Sequence, residues 1–129
     1  MLLPITALYA GLIGIMAIVL GLLSGFTRSR TGVSLGADSN NPEQLLASRR
    51  HGNLIEWAPI FLLLLGVLEL NGSSGTLIHA LGAVFVVSRL LHASGLSAEK
   101  VGGAGRALGA AGSLLSVLVA SVIAIISFI

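Results

Sequence analysis

The chain has 129 residues, 55% of them hydrophobic and 9% charged, with a formal net charge of +2 and a mean hydropathy of +1.01. Soluble domains carry roughly 25% charged residues, so a soluble fold of this length would lack the polar surface to cover its core. The absence of cysteine excludes disulfides, thiolate metal sites and a cysteine nucleophile, and with no lysine-rich run the small positive charge does not suit a nucleic-acid binder.

A membrane-crossing helix needs about 20 mostly apolar residues, and four segments meet that length within one domain. The first runs about Pro4 to Phe26 and is uncharged. Nothing basic precedes Pro4, so this segment is expected to be a retained helix rather than a signal peptide. Thr27 to Asn41 is rich in Gly, Ser, Asn and Asp and reads as a loop. The second helix is expected over Pro42–Leu70: Asn41 suits the cap, Pro42 the first turn and Glu43 the early negative charge. After the tight uncharged turn Asn71–Gly75, a third helix spans Gly75–Ser94. Leu96–Gly103 is a short loop, and the fourth helix covers Ala104–Phe128.

Four spans place the first and third loops on one side of the bilayer. Arg28, Arg30, Asp38, Glu43, Arg49, Arg50, Glu56, Arg89, Glu99, Lys100 and Arg106 map to that side, and Glu69 alone to the other. Cationic loops stay in the cytoplasm. The charged end is therefore expected to face the cytoplasm and both termini to face away, in a cell membrane (the inner membrane if the source is bacterial).

Charge at membrane depth costs ~2.5–3.5 kcal/mol per group and usually faces a bundle interior or a cavity. In the second helix Arg49, Asn53 and Glu56 recur at i, i+4 and i+7, one stripe of a helix. Arg89 and His92 stand near the charged end of the third helix, Arg28 and Arg30 at the end of the first, and Arg106 at the start of the fourth. All seven Lys and Arg lie at that end against four of the five acidic residues. Two readings fit this pattern. The groups form ion pairs that tie the helices together, or they line a pocket for an anion bearing carboxylates and an amine, which arginine forks and a carboxylate would grip. His51 lies about 200° around the helix from Arg49 and belongs to neither reading, while Glu69 and His79 read as structural. No spacing suggests a metal site. Gly21 with Gly25, and Gly105 with Gly109 and Ser113, follow the small-xxx-small pattern of closely packed membrane helices, and Pro59 is expected to loosen the second helix beside the stripe.

The run Arg49-Arg50-His51-Gly52-Asn53-Leu54-Ile55-Glu56-Trp57-Ala58-Pro59 resembles the second-helix signature of the MAPEG family, the membrane-associated proteins of eicosanoid and glutathione metabolism. That signature reads R-x-x-x-N-x-x-E-aromatic-x-P, and each named position is filled. Ser88-Arg89-Leu90-Leu91-His92 resembles the family's G-R-x-x-H, and Ile5–Ala10 with Gly32–Gly36 resembles its small bacterial members. The resemblance implies an all-α integral membrane four-helix bundle assembled as a homotrimer, with glutathione held between subunits near the cytoplasmic face. It implies that Arg49, Asn53 and Glu56 bind glutathione, with Glu56 at its amine, and that Arg89 and His92 complete the pocket. Arg28 or Arg30 would stand for the family's first-helix arginine, and Arg106 for the arginine that stabilises the thiolate in catalytic relatives. The expected activity is glutathione transfer or peroxidase chemistry on small lipophilic substrates drawn from the bilayer. The alternatives are a non-catalytic scaffold, or a lipid- or anion-binding trimer, on the same fold. A small multidrug exporter would need an acidic residue in the first helix, which has none. Two departures stand out: Leu45 and Leu46 replace a Glu-Arg pair found in catalytic members, and Leu96 and Ala110 fall where pocket tyrosines are expected, Tyr9 being the sole tyrosine.

Overall fold

The computed structural model describes residues 2–96 and 103–129 and contains four long helices. They are α1 (Pro4–Thr31), α2 (Pro42–Leu70), α3 (Gly75–Gly95) and α4 (Ala104–Ile126), with a short 3₁₀ turn at Asp38–Asn40 before α2. All four are long and apolar enough to cross a bilayer. Short links make consecutive helices antiparallel, so the start of α1 meets the end of α2 at one end of the bundle. The start of α2, the end of α3 and the start of α4 meet at the other. α3 packs most extensively on α4, and α1 on α2.

Local chemistry sets the helix limits. Asn41 accepts the Gln44 N–H at 3.0 Å and caps α2, with Pro42 and Glu43 in the first turn as expected. Ser74 does the same for α3 through the Leu77 N–H at 3.3 Å, and Gly72, at φ 78°, makes the reversal before it. α1 runs further than composition indicates, to Thr31 rather than Phe26. Thr27 and Thr31 satisfy their hydroxyls on the carbonyls of Leu23 and Thr27, at 2.8 and 2.9 Å, so the polar stretch stays helical. The helix closes at Gly32, whose left-handed φ of 66° lets its N–H reach the Arg28 carbonyl at 3.0 Å. α3 ends one residue later than expected, at Gly95, and α4 at Ile126 rather than Phe128.

In lipid, apolar surface gives no net drive for helices to associate, so close packing and internal hydrogen bonds must hold them. The Phe61 and Phe85 rings stack at 3.9 Å and 3° at the centre of the bundle, among buried Leu65, Leu68, Ile78 and Ala120. Large apolar residues such as Ile15, Ile18, Leu22, Leu63, Leu114 and Leu118 face outward. At the weakly charged end, the Glu69 carboxylate accepts the Ile5 and Thr6 N–H groups at 2.9 and 2.7 Å. It thereby caps α1, whose first turn has free donors and a partial positive charge. Nearby, the Tyr9 hydroxyl donates to the His79 carbonyl at 2.9 Å. Glu69 thus holds α1 to the end of α2, in keeping with the structural reading of its position.

Glycine places the helices where they are closest. A side chain at Gly109 would run into the α3 backbone at Ser88 and His92, and one at Gly95 into the first turn of α4 at Gly105 and Arg106. The glycine and serine seam of α4 is therefore spent on α3 of the same chain. On α1, Gly21 lies against His51, whereas Gly25 has open space before it.

Candidate functional site

At the charged end, the stripe of α2 faces the end of α3 and the first turn of α4 across a cavity of about 220 Å³. Its lining is Arg49, Asn53 and Glu56 from α2, His92 and Leu96 from the end of α3, and Arg106 from α4. Five of the eight residues singled out from the sequence thus share one cavity. Arg49 and Glu56 are exposed, Asn53 and Arg106 are half-buried, and His92 is buried. No ion pair joins Arg49 or Glu56 to another described residue. The reading of the stripe as a structural ion-pair network therefore finds no support among the described residues. Glu99 and Lys100, counted in the charge of this end, lie outside them.

Three neighbours fix the cavity's shape. α4 comes against α3 through Gly95 and Gly109, which sets Arg106 opposite the α2 stripe. Arg50, beside Arg49, donates to the Leu96 carbonyl at 2.7 Å and ties the start of α2 to the end of α3. Arg89 is not on the cavity wall. It sits behind Asn53 and donates to the Asn53 Oδ1 at 2.6 Å.

Arg28 and Arg30 do not line this cavity. Arg28 pairs with Asp38 at 2.8 Å and donates to the Val33 and Ser34 carbonyls at 3.2 and 3.0 Å, which folds the first loop onto α1. Arg30 pairs with Glu43 in a contact open to solvent. Ser48 donates to the Asp38 Oδ2 at 2.8 Å, so the loop is also held to α2. The Ser48 hydroxyl and the Arg28 guanidinium hold the Asp38 carboxyl below its ordinary value of 3.8. A carboxyl with a depressed folded pKa stabilises the fold above its unfolded value, and that stability goes as pH falls through the folded one. The melting temperature should therefore drop as pH falls below 3.8, and Asp38→Asn should flatten that part of the profile. An unchanged slope in the variant would show the acid sensitivity to lie elsewhere.

The residues that build the site lie in a recognisable lineage. The model of the MAPEG family matches residues 6–126, nearly the whole chain. This chain belongs to the MAPEG family. The protein is also 32% identical over 88 residues to the inner membrane protein YecN of Escherichia coli K12, and equally to that of the O6:H1 strain CFT073. These matches cover 68% of this MAPEG chain and 66% of the relatives' length. The protein is thus a MAPEG membrane bundle with a relative in a bacterial inner membrane.

In this MAPEG protein the sequence indicated most of the cavity wall but not its supports. Arg50, Ser113 and Gly109 drew no site role from spacing, because their parts depend on which helix they meet. Ser113 and Gly109 did carry a signal in the small-residue pattern, which marks where α4 can touch α3.

Proposed function

We propose that this protein binds glutathione at the charged end of the bundle and uses it as a co-substrate against lipophilic electrophiles or lipid hydroperoxides dissolved in the bilayer. The observation that carries this reading is the single cavity lined by Arg49, Asn53, Glu56, His92 and Arg106. Glutathione brings two carboxylates, an ammonium group and a thiol. Arginine forks suit the carboxylates, Glu56 suits the ammonium, and Arg106 suits a thiolate. A thiol of pKa near 8.5 is mostly protonated at neutral pH, and a cation beside it in a low-dielectric site favours the reactive thiolate.

The assembly we propose is a homotrimer with the site at the subunit boundary. Glu56 lies about 21 Å along a helix about 43 Å long, yet it is exposed on the single subunit. A carboxylate at that depth is costly against lipid, and a neighbouring subunit would cover it. The cavity of about 220 Å³ is also smaller than the 300–1,000 Å³ of most small-molecule sites, as expected for a site that a second subunit completes. Of the two first-helix arginines, Arg30 is the better candidate to reach a neighbour's cavity. Its pair with Glu43 is exposed and worth little, whereas Arg28 is held by an acid and two carbonyls.

Calorimetric titration of glutathione into the purified protein tests the pocket. Arg49→Ala and Glu56→Ala should each weaken binding by about ten- to a hundredfold, as for loss of a charged hydrogen bond. Equal affinity in wild type and both variants removes the assignment and leaves the fold untouched. A non-catalytic anion- or lipid-binding protein is the second reading, favoured by Leu96 on the cavity wall, where the family resemblance implies a pocket tyrosine. Binding without turnover would select it.

We further propose that the charged end faces the cytoplasm. The chain has no cysteine, so single cysteines report orientation directly. Ser34→Cys should react with an impermeant maleimide only after the cells are opened, and Phe128→Cys in intact cells. The reverse pattern inverts the topology.

A further inference from the structure

Arg89 is 3% exposed, and no described carboxylate pairs with it. A buried guanidinium without a counter-ion needs its donors satisfied by neutral groups, and two neighbouring helices, α2 and α4, supply them. The Nε donates to the Ser113 Oγ at 2.7 Å, one terminal nitrogen to the Asn53 Oδ1 at 2.6 Å, and the other to the Gly109 carbonyl at 3.2 Å. Ser113 is itself oriented, because its hydroxyl donates to the Gly109 carbonyl at 2.8 Å and so turns a lone pair to Arg89. The guanidinium carbon stands 5.7 Å from the centre of the Phe85 ring, on the buried aromatic stack.

This arrangement decides what Asn53 offers to the cavity. A guanidinium has donors and no acceptor, so the Asn53 carboxamide must turn its oxygen toward Arg89. Only its NH₂ group is left for the cavity that Asn53 lines. We propose that Arg89 is a positioning residue that locks the Asn53 amide with its donors in the cavity. That part of the site then takes an acceptor, a carboxylate or carbonyl of the ligand, and rejects an ammonium group. The proposal rests on the glutathione reading and assigns the ligand's two kinds of charge: acceptor groups at Asn53, the amine at Glu56.

A double-mutant cycle read by glutathione calorimetry tests it. Arg89→Lys keeps the charge but cannot span three helices, and it should weaken binding about tenfold. In an Asn53→Ala background the same change should cost less than about twofold, since contacting groups are non-additive. Ser113→Ala, which frees Arg89 without touching Asn53, should show the same dependence in milder form. Asn53→Asp keeps the Arg89 contact but replaces donors by an acceptor, so affinity should fall at least tenfold with the melting temperature kept or raised. Equal losses from Arg89→Lys in both backgrounds, or full affinity in Asn53→Asp, overturn the proposal. If wild type binds no glutathione, the functional reading falls, and the lock is judged by the same cycle on melting temperature. Non-additive destabilisation by Arg89→Lys and Asn53→Ala then upholds it, and additive destabilisation overturns it.

Discussion

Replacing Arg106 by alanine should lower the rate of glutathione conjugation at neutral pH by roughly 8- to 25-fold while changing glutathione affinity far less. Arg106 lies in the first turn of α4, on the cavity wall opposite the α2 stripe. A cation within reach of a thiol lowers its pKa by about one to two units, which from a start near 8.5 raises the thiolate fraction at pH 7 by roughly 8- to 25-fold. The pH–rate profile separates this role from mere binding. Its lower inflection should move up in Arg106→Ala toward the ordinary thiol value near 8.5 and return part of the way in Arg106→Lys. A profile that does not move would show that Arg106 does not act on the thiol, whatever happened to the rate. The substrate should be a lipophilic electrophile presented in micelles or vesicles, since the cavity opens from helices that face lipid.

The second large effect is expected from Gly109→Leu. No side chain fits between Gly109 and the α3 backbone at Ser88 and His92, and a backbone cannot step aside as a flexible side chain can. Overpacking a tight contact typically costs 1–3 kcal/mol, sometimes more. Moving α4 off α3 would also part the Gly109 carbonyl and Ser113 from Arg89, and Arg106 from His92. The variant should melt well below wild type in detergent and lose glutathione binding together with fold. Gly14→Leu is the control, because a side chain there meets nothing within 4 Å and should leave the melting temperature close to wild type. Comparable losses in both would mean that α1 and α4 glycines matter alike, against the packing seen here.

The two predictions probe different layers of the same site. Arg106 lines the cavity and is proposed to act on the ligand, so its loss should leave the bundle standing. Gly109 acts on the distance between two helices, so its loss should take bundle and site together.

Several features were legible in the residues alone for definite physical reasons. Long apolar runs can satisfy their backbone in lipid only as helices, which places four spans, and the Asn41 cap with Pro42 in the first turn marks where the second begins. The spacing of Arg49, Asn53 and Glu56 puts them on one stripe wherever the helix goes, and the structure brings that stripe to a cavity with His92 and Arg106. The end of α1 was not legible, because threonines that look like loop residues in water bond back to the carbonyl four residues earlier.

What the tertiary structure alone decided is how the arginines divide their work. Sequence spacing treats Arg28, Arg30, Arg89 and Arg106 alike, as cations near one end of the bundle. Their partners depend on which helix each one meets. Arg28 meets Asp38, Arg30 meets Glu43, Arg89 meets Asn53 and Ser113, and Arg106 meets the open cavity. A charge's position along a helix follows from counting residues, but its surroundings come from neighbours distant in the chain, and those surroundings separate a loop clamp from a buried guanidinium and a side chain open to a cavity.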